Sequence, residues 1–172
     1  MYRKWSRLNQ FHGRLQRGNE KGHSMTGEQR MVSEFHRMFG IAVRTVPATP
    51  DEATRSLRVK LIQEEFDELQ DALAQQDLSA IAKELADLLY VVYGTAVSCG
   101  IDIEPVFQEV HRSNLSKVGG SRREDGKWIK PPTYSPACIQ PILAAQREAA
   151  NDGTHRSKTS ECLLVDEKGA LP

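Results

Sequence analysis

The sequence has little of several features that identify protein classes. Its 172 residues hold 23 basic and 23 acidic side chains, and no basic stripe with interleaved aromatic residues appears, which argues against nucleic-acid binding. Cys99, Cys138 and Cys162 lie far apart and form no CxxC pair, which argues against a disulfide framework or a zinc site. No apolar run reaches the about 20 residues of a membrane span. We expect one domain with free thiols in the cytoplasm.

What the sequence does have is an uneven distribution of charge. Residues 51–110 carry thirteen acidic and four basic side chains, whereas residues 111–130 carry six basic and two acidic ones. Within the acidic part, Glu64-Glu65-x-x-Glu68 is followed after fifteen residues by Glu84-x-x-Asp87. On helices, the first three side chains span an arc of about 100°, and Glu84 and Asp87 lie about 60° apart. Two such helices packed antiparallel would bring up to five carboxylates together.

The second acidic pair lies in an unusually apolar segment. Residues 81–97 are apolar on nearly every side, which predicts a buried helix. Buried carboxylates must be neutralised, paired or bound to a metal. Lysine and arginine are scarce here, so the pattern favours Mg²⁺, or Mn²⁺ in its place. Two alternatives stay open: the first cluster could be an ordinary solvated helix face, and Lys83 could pair with Glu84 or Asp87.

Two basic motifs follow downstream and, together with the acidic ones, carry a family resemblance. They are His111-Arg-Ser-Asn114-Leu-Ser-Lys117 and Asp125-Gly-Lys127-x-x-Lys130-Pro-Pro-x-Tyr134. With the EExxE and ExxD motifs they resemble, over residues 34–139, the all-α nucleoside triphosphate pyrophosphohydrolases of the MazG-like superfamily. That group includes the dimeric dUTPases, the dCTP pyrophosphatases and phosphoribosyl-ATP pyrophosphohydrolase.

The resemblance implies an all-α bundle of four to five helices with a basic C-terminal arm. It implies hydrolysis of a nucleoside triphosphate at the α-phosphorus, giving a nucleoside monophosphate and pyrophosphate. The dimeric dUTPase-like branch fits best, so we expect dUTP first, then dCTP or a modified nucleotide, in a nucleotide-pool house-cleaning role. Phosphoribosyl-ATP fits less well because of the longer first helix and the arm. A catalytically silent interaction protein of the same fold is the alternative of another class.

The resemblance, read beside the acidic pattern, also gives candidate site residues. Glu65, Glu68, Glu84 and Asp87 are expected to hold Mg²⁺, and Glu64 either joins a second ion or acts as general base. Substrate contacts are expected from Asn114, Lys117, Lys127, Lys130 and Tyr134, with Phe35 and His36 near the nucleobase. A homodimer or dimer of dimers is expected, because residues 81–97 need neighbours on every side.

Other phosphohydrolase and metal-site signatures are absent. There is no P-loop GxxxxGK[ST] and no His-Asp dipeptide. The one Glu-x-x-His match, Glu20 to His23, lies in the basic start rather than on a bundle helix. These absences argue against a P-loop ATPase, an HD-type phosphohydrolase and a di-iron site, and they favour Mg²⁺ over iron.

Helix signals divide the chain into three parts. A helix is predicted over residues 26–40 with a Thr26-x-x-Gln29 capping box, and a second from Thr49 as N-cap to about residue 75. A third is predicted over residues 80–99 and a fourth after Asp102. Residues 136–143 begin a last short helix. We expect a domain over residues 25–143, a disordered basic extension over residues 1–24 and a disordered tail over residues 144–172.

Overall fold

The computed structural model describes residues 25–163, and their side chains as far as residue 152. This part of the chain is all-α, which confirms the predicted fold class. Its one β-type feature is an antiparallel bridge between Arg122 and Trp128. The predicted extension over residues 1–24 and the last nine residues lie outside the described part. The five helices are α1 (Gly27–Met38), α2 (Glu52–Gln75), α3 (Leu78–Cys99), α4 (Ile103–Leu115) and α5 (Gln140–Leu163).

The helices α2 and α3 form the antiparallel hairpin at the centre of the fold, and α1 packs against α3. Asp51 is the N-cap of α2, and its carboxylate accepts hydrogen bonds from the backbone N–H and the hydroxyl of Thr54. Thr49 is therefore not the N-cap, and that prediction was wrong by two residues because Asp51 provides the stronger, doubly bonded cap. At the hairpin turn, Gln76 adopts a left-handed conformation and Asp77 caps α3.

Only one of the two hydrogen bonds of the predicted capping box forms at the start of α1. The Thr26 hydroxyl accepts the N–H of Gln29 at 3.2 Å. The side chain of Gln29 does not return to Thr26, however. Its amide nitrogen donates to the Ile101 carbonyl at 2.6 Å, and its amide oxygen accepts the Ile103 N–H at 3.1 Å. Gln29 is almost fully buried, so it fastens α1 to the connection between α3 and α4.

A second glutamine fastens the same connection from the other end of the chain. The Gln146 amide of α5 donates to the Asp102 carbonyl at 2.9 Å and accepts the Asp102 N–H at 3.1 Å. The predicted disordered tail from residue 144 was therefore wrong for the residues up to 163, which are helical. This segment has weak apolar periodicity, because the side chain that it buries most deeply is the polar Gln146 and not an apolar stripe.

The end of α3 depends on a glycine, as predicted. Gly100 has φ +68°, and its N–H bonds the Val97 carbonyl while the next N–H bonds Ala96. This pattern is typical of a helix C-terminus. A Cβ at Gly100 would collide with the Val46 carbonyl oxygen, because the linker after α1 passes directly over this turn.

Within the single chain, the middle of α3 is not buried on all sides. Leu85, Leu89 and Val92 are 47%, 56% and 42% exposed, and Phe66 on α2 is 45% exposed. The single chain thus leaves an apolar face of the central hairpin uncovered. No single helix among residues 25–163 is long and apolar enough to cross a membrane, although α3 and α4 would qualify jointly as a pair bent by 114°.

We expect Gln146→Leu to lower the free energy of unfolding by about 2–4 kcal/mol, because the buried N–H and carbonyl of Asp102 both lose their partner. Urea denaturation measures the change. Gln108→Leu is the matched control, since Gln108 makes one exposed bond within α4. A loss in Gln146→Leu no larger than in the control would contradict the role given to this clamp.

Candidate active site

Three carboxylates meet between the two helices of the central hairpin. Glu65 comes from α2, and Glu84 and Asp87 come from α3. One carboxylate oxygen of each lies within 4.8 Å of the others. Glu84 is only 8% exposed, whereas Glu65 and Asp87 are half-buried. The antiparallel pairing of α2 and α3 therefore brings parts of both acidic motifs into one site.

The electrostatics of this cluster suit a bound cation. Burial raises the pKa of Glu65, and the neighbouring charges of Asp87, Glu68 and Glu84 raise the same pKa further. Like charges at this distance destabilise one another, and a divalent ion would relieve the repulsion. Carboxylate oxygens are also the ligands that Mg²⁺ and Mn²⁺ prefer. The residues present therefore fit a divalent metal.

Lys83 lies inside the cluster, which confirms the alternative that Lys83 pairs with the second acidic motif. Its ammonium contacts Asp87 at 2.8 Å and Glu84 at 2.9 Å, and it lies 3.9 Å from Glu68. Hydrogen bonds to Asp87 and Glu84 raise the pKa of Lys83. Neighbouring residues on a helix point in different directions, so the Cβ of Lys83 points away from Glu84. The long, flexible side chain of Lys83 nevertheless brings its ammonium back to the Glu84 carboxylate.

The other two predicted acidic residues lie at or beyond the edge of the cluster. Glu68 is at the rim, where its side chain is 59% exposed. Glu64 is exposed and pairs with Lys60 one turn earlier, at 3.7 Å. Neither belongs to the group of three carboxylates that could share one ion. Their roles as a metal ligand and a general base stay predictions.

The predicted substrate-binding residues form a separate basic group after α4. The Lys117 ammonium donates to the Asn114 side chain at 2.6 Å, and the Lys130 ammonium lies 4.2 Å from the centre of the Tyr134 ring. Lys127 is exposed beside the Gly126 turn of a small hairpin. Among the described residues, no ion pair or hydrogen bond connects these side chains to the acidic cluster.

An unpredicted contact fastens the segment after this hairpin to α4. The Arg112 guanidinium bonds both carboxylate oxygens of Glu109, at 2.7 and 2.8 Å, and also reaches the Pro136 carbonyl. The Glu109 carboxylate in turn accepts the Cys138 N–H at 2.8 Å. Glu109 and Arg112 are three residues apart on α4, and this i, i+3 spacing is the signal by which the sequence could have identified the pair.

The two residues expected near a nucleobase differ in accessibility. Phe35 is half-buried, with its ring 4.3 Å from that of Phe39 and edge-on to Tyr90 at 5.7 Å. His36 is only 2% exposed. Burial lowers the pKa of His36, and the positive charge of Arg58 lowers it further. His36 is thus a core residue of this chain, and the nucleobase contacts of Phe35 and His36 stay predictions.

Comparisons with known proteins agree with the acidic motifs. Residues 32–114 match the family model described as phosphoribosyl-ATP pyrophosphohydrolase. A protein of Acanthamoeba polyphaga mimivirus, described as uncharacterized, is 39% identical over 77 residues. That match covers 42% of this chain and 31% of the mimivirus protein, so it spans about a third of the relative's length. The family match contains every acidic residue of the cluster and ends before Lys117.

Acidic pH should weaken the attachment of the segment around Cys138 to Glu109 of α4. The Arg112 guanidinium and the Cys138 N–H lower the pKa of Glu109 from 4.5 to about 2. Because the folded-state pKa is depressed, the stabilisation is complete above pH 4.5 and is lost as the pH falls towards 2. The difference in unfolding midpoint between wild type and Glu109→Gln should therefore shrink over that range. Exposed Glu148→Gln is the control, and a constant difference would contradict this assignment.

Lys83→Met should strengthen Mn²⁺ binding about tenfold, because a competing positive charge within hydrogen-bond distance of the ligands is removed. Lys83→Arg keeps the charge and is the matched control. Electron paramagnetic resonance of free Mn²⁺ measures the affinity without any turnover. Equal affinities in the wild type and Lys83→Met would show that the ammonium does not occupy the ion's place.

Proposed function

We propose that this chain hydrolyses a nucleoside triphosphate in the presence of Mg²⁺, because residues 32–114 match the model of the phosphoribosyl-ATP pyrophosphohydrolase family. The products would be a nucleoside monophosphate and pyrophosphate, and dUTP is the first candidate substrate. The observation that carries the proposal is the meeting of Glu65, Glu84 and Asp87 within 4.8 Å. Cytoplasmic house-cleaning of the nucleotide pool is part of the same proposal.

The acidic residues would divide the chemistry among them. Glu65, Glu84 and Asp87, with Glu68 at the rim, would hold a divalent ion, which when bound polarises phosphoryl oxygens and lowers the pKa of water. Glu64 is the candidate general base, because its exposed carboxylate is free to leave Lys60, a surface partner of little energetic weight. As the water oxygen bonds to the α-phosphorus, its proton would pass to Glu64 and pyrophosphate would leave.

Positive charge for the triphosphate would come from the basic group after α4. Lys117 is already oriented by its hydrogen bond to Asn114, while Lys127 and Lys130 are exposed on the hairpin that follows. Tyr134 offers a hydroxyl whose pKa is lowered by the Ser113 hydroxyl bond. These side chains would reach the acidic cluster of the same subunit or of a neighbour when substrate is present.

A homodimer, or a dimer of dimers, is part of the proposal. The uncovered leucines and valine on α3, Leu85, Leu89 and Val92, support it because exposed apolar patches on small proteins often mark interfaces. A partner on this face would bury the same helix that carries Glu84 and Asp87. Oligomer formation would then lower water access to the acidic cluster.

Phosphoribosyl-ATP is the second candidate substrate, and the description of the matching family favours it. The preference for dUTP depends on the resemblance of residues 34–40 and 88–94, which lie within the matched region, and of the basic C-terminal arm, which lies beyond it. A catalytically silent protein of the same fold is the alternative outside the enzyme class. Against it stands the cluster itself, since three carboxylates facing one another serve no packing purpose that apolar residues would not serve better.

Pyrophosphate release from a panel of nucleoside triphosphates, deoxynucleoside triphosphates and phosphoribosyl-ATP, with Mg²⁺ or with EDTA, tests the proposal. We expect turnover of dUTP that stops in EDTA. Asp87→Asn and Glu68→Gln should reduce kcat by about 100-fold or more, since charge stabilisation at phosphate is lost. Asp67→Asn is the matched control, because Asp67 is exposed on α2 and bonds only Gln63.

Two results would decide against the proposal. Full turnover by Asp87→Asn would remove the acidic cluster from the reaction. No pyrophosphate from any substrate, in protein that binds Mn²⁺ and is folded, would favour the silent alternative. Turnover of phosphoribosyl-ATP but not dUTP would keep the reaction class and change the substrate.

A further inference from the structure

A cavity of about 370 Å³ lies at the other end of the central hairpin from the hairpin turn. The linker after α1, the first half of α2, the end of α3 and the start of α5 surround it. Most of its wall is apolar, including Pro47, Pro50, Ile62 and Leu143. Its charged lining residues are three arginines, and no acidic residue is among them: Arg55, Arg58 and Arg147.

Arg58 is the unusual member of this lining. It is 7% exposed, and its buried Nε has no hydrogen-bond partner. Within residues 25–152, no carboxylate forms an ion pair with its guanidinium. Burial lowers the pKa of Arg58, which reflects the cost of keeping this charge away from water. A buried cation without a counter-ion is strongly unfavourable, so its surroundings are incomplete.

The other two arginines are held in place by backbone carbonyls beside the cavity. Arg55 donates to the Pro50 carbonyl at 2.6 Å, and Arg147 donates to the Pro47 carbonyl at 3.0 Å. A guanidinium has five N–H donors, so each of these residues keeps most of its donors for another acceptor. These two hydrogen bonds hold the side chains at the cavity wall, and because carbonyls are uncharged they do not neutralise the arginine charges.

This cavity is separate from the acidic cluster. Arg58 precedes Glu65 by seven residues on α2, which corresponds to about 10 Å along the helix axis. Cys99, which lines the cavity, follows Asp87 by twelve residues on α3, or about 18 Å. The two sites also carry opposite charge. A ligand held by the arginines would therefore not be held by the metal ligands.

We propose that this arginine-lined cavity is a second ligand site, which binds a phosphate group carried by free phosphate or by a small phosphate ester. Arginine forks match phosphate oxygens in pairs, and the ligand's negative charge would complete the surroundings of Arg58. The volume lies at the small end of ligand pockets, which span about 300–1,000 Å³. The largely apolar wall would suit the body of an ester.

Calorimetric titration of the full chain in EDTA tests this site without metal or turnover, and so independently of the proposed activity. The probes are dUMP, sodium phosphate and deoxyuridine. Binding of dUMP or phosphate, but not of deoxyuridine, is expected. Tighter binding of dUMP than of phosphate would identify an ester as the ligand, and equal binding would identify free phosphate.

Variants locate the binding. Arg58→Met and Arg147→Met should each weaken phosphate or dUMP binding at least tenfold. Arg37→Met, which removes an exposed arginine outside the cavity, should bind as the wild type does, and Asp87→Asn should bind no more weakly than the wild type. Arg58→Met should not unfold the protein, since it removes an unpaired buried charge, and Arg147 provides an exposed second position. Absence of binding by both phosphate probes, unchanged binding in both cavity variants, or loss in Asp87→Asn would overturn the proposal.

Discussion

Repulsion among Glu65, Glu84 and Asp87 is the constraint around which this fold is built. Three carboxylates within 4.8 Å, one of them buried, would separate if their helices were free to do so. They cannot separate, because α2 and α3 are joined by a short turn capped by Asp77 and pack along their length. The apolar contacts of the hairpin therefore hold an electrostatically unfavourable arrangement. Lys83 relieves part of it from within the same helix.

The buried glutamines complete this scaffold at the opposite end. Gln29 and Gln146 bond successive backbone groups of the turn between α3 and α4, from helices that are more than a hundred residues apart in sequence. Each amide is satisfied on both its oxygen and its nitrogen, which makes such buried contacts specific as well as stabilising. They fix where α4 begins, and so where the basic group that follows α4 can lie.

Sequence reasoning predicted the features that depend on local patterns. The acidic spacing predicted two facing helices, and Gly100 and Asp102 marked the ends of α3 and α4, because caps and periodicity are properties of a few neighbouring residues. It did not predict the continuation of α5 beyond residue 143 or the cavity at Arg58. Each of these depends on tertiary partners: Gln146 needs the Asp102 backbone, and Arg58 is unpaired only because three other segments enclose it.

The arrangement of charge along α2 connects the acidic cluster with the arginine cavity. Arg58 and Glu65 are seven residues apart, so their backbone positions lie on nearly the same face of the helix and about 10 Å apart along its axis. No ion pair joins their side chains within residues 25–152. For comparison, two unit charges 10 Å apart interact by about 1.6 kcal/mol at an effective dielectric constant of 20. The charge on Arg58 therefore opposes a cation at Glu65, and an anion that neutralises Arg58 would favour metal binding. Because such coupling is reciprocal, metal at the acidic cluster would favour the anion equally.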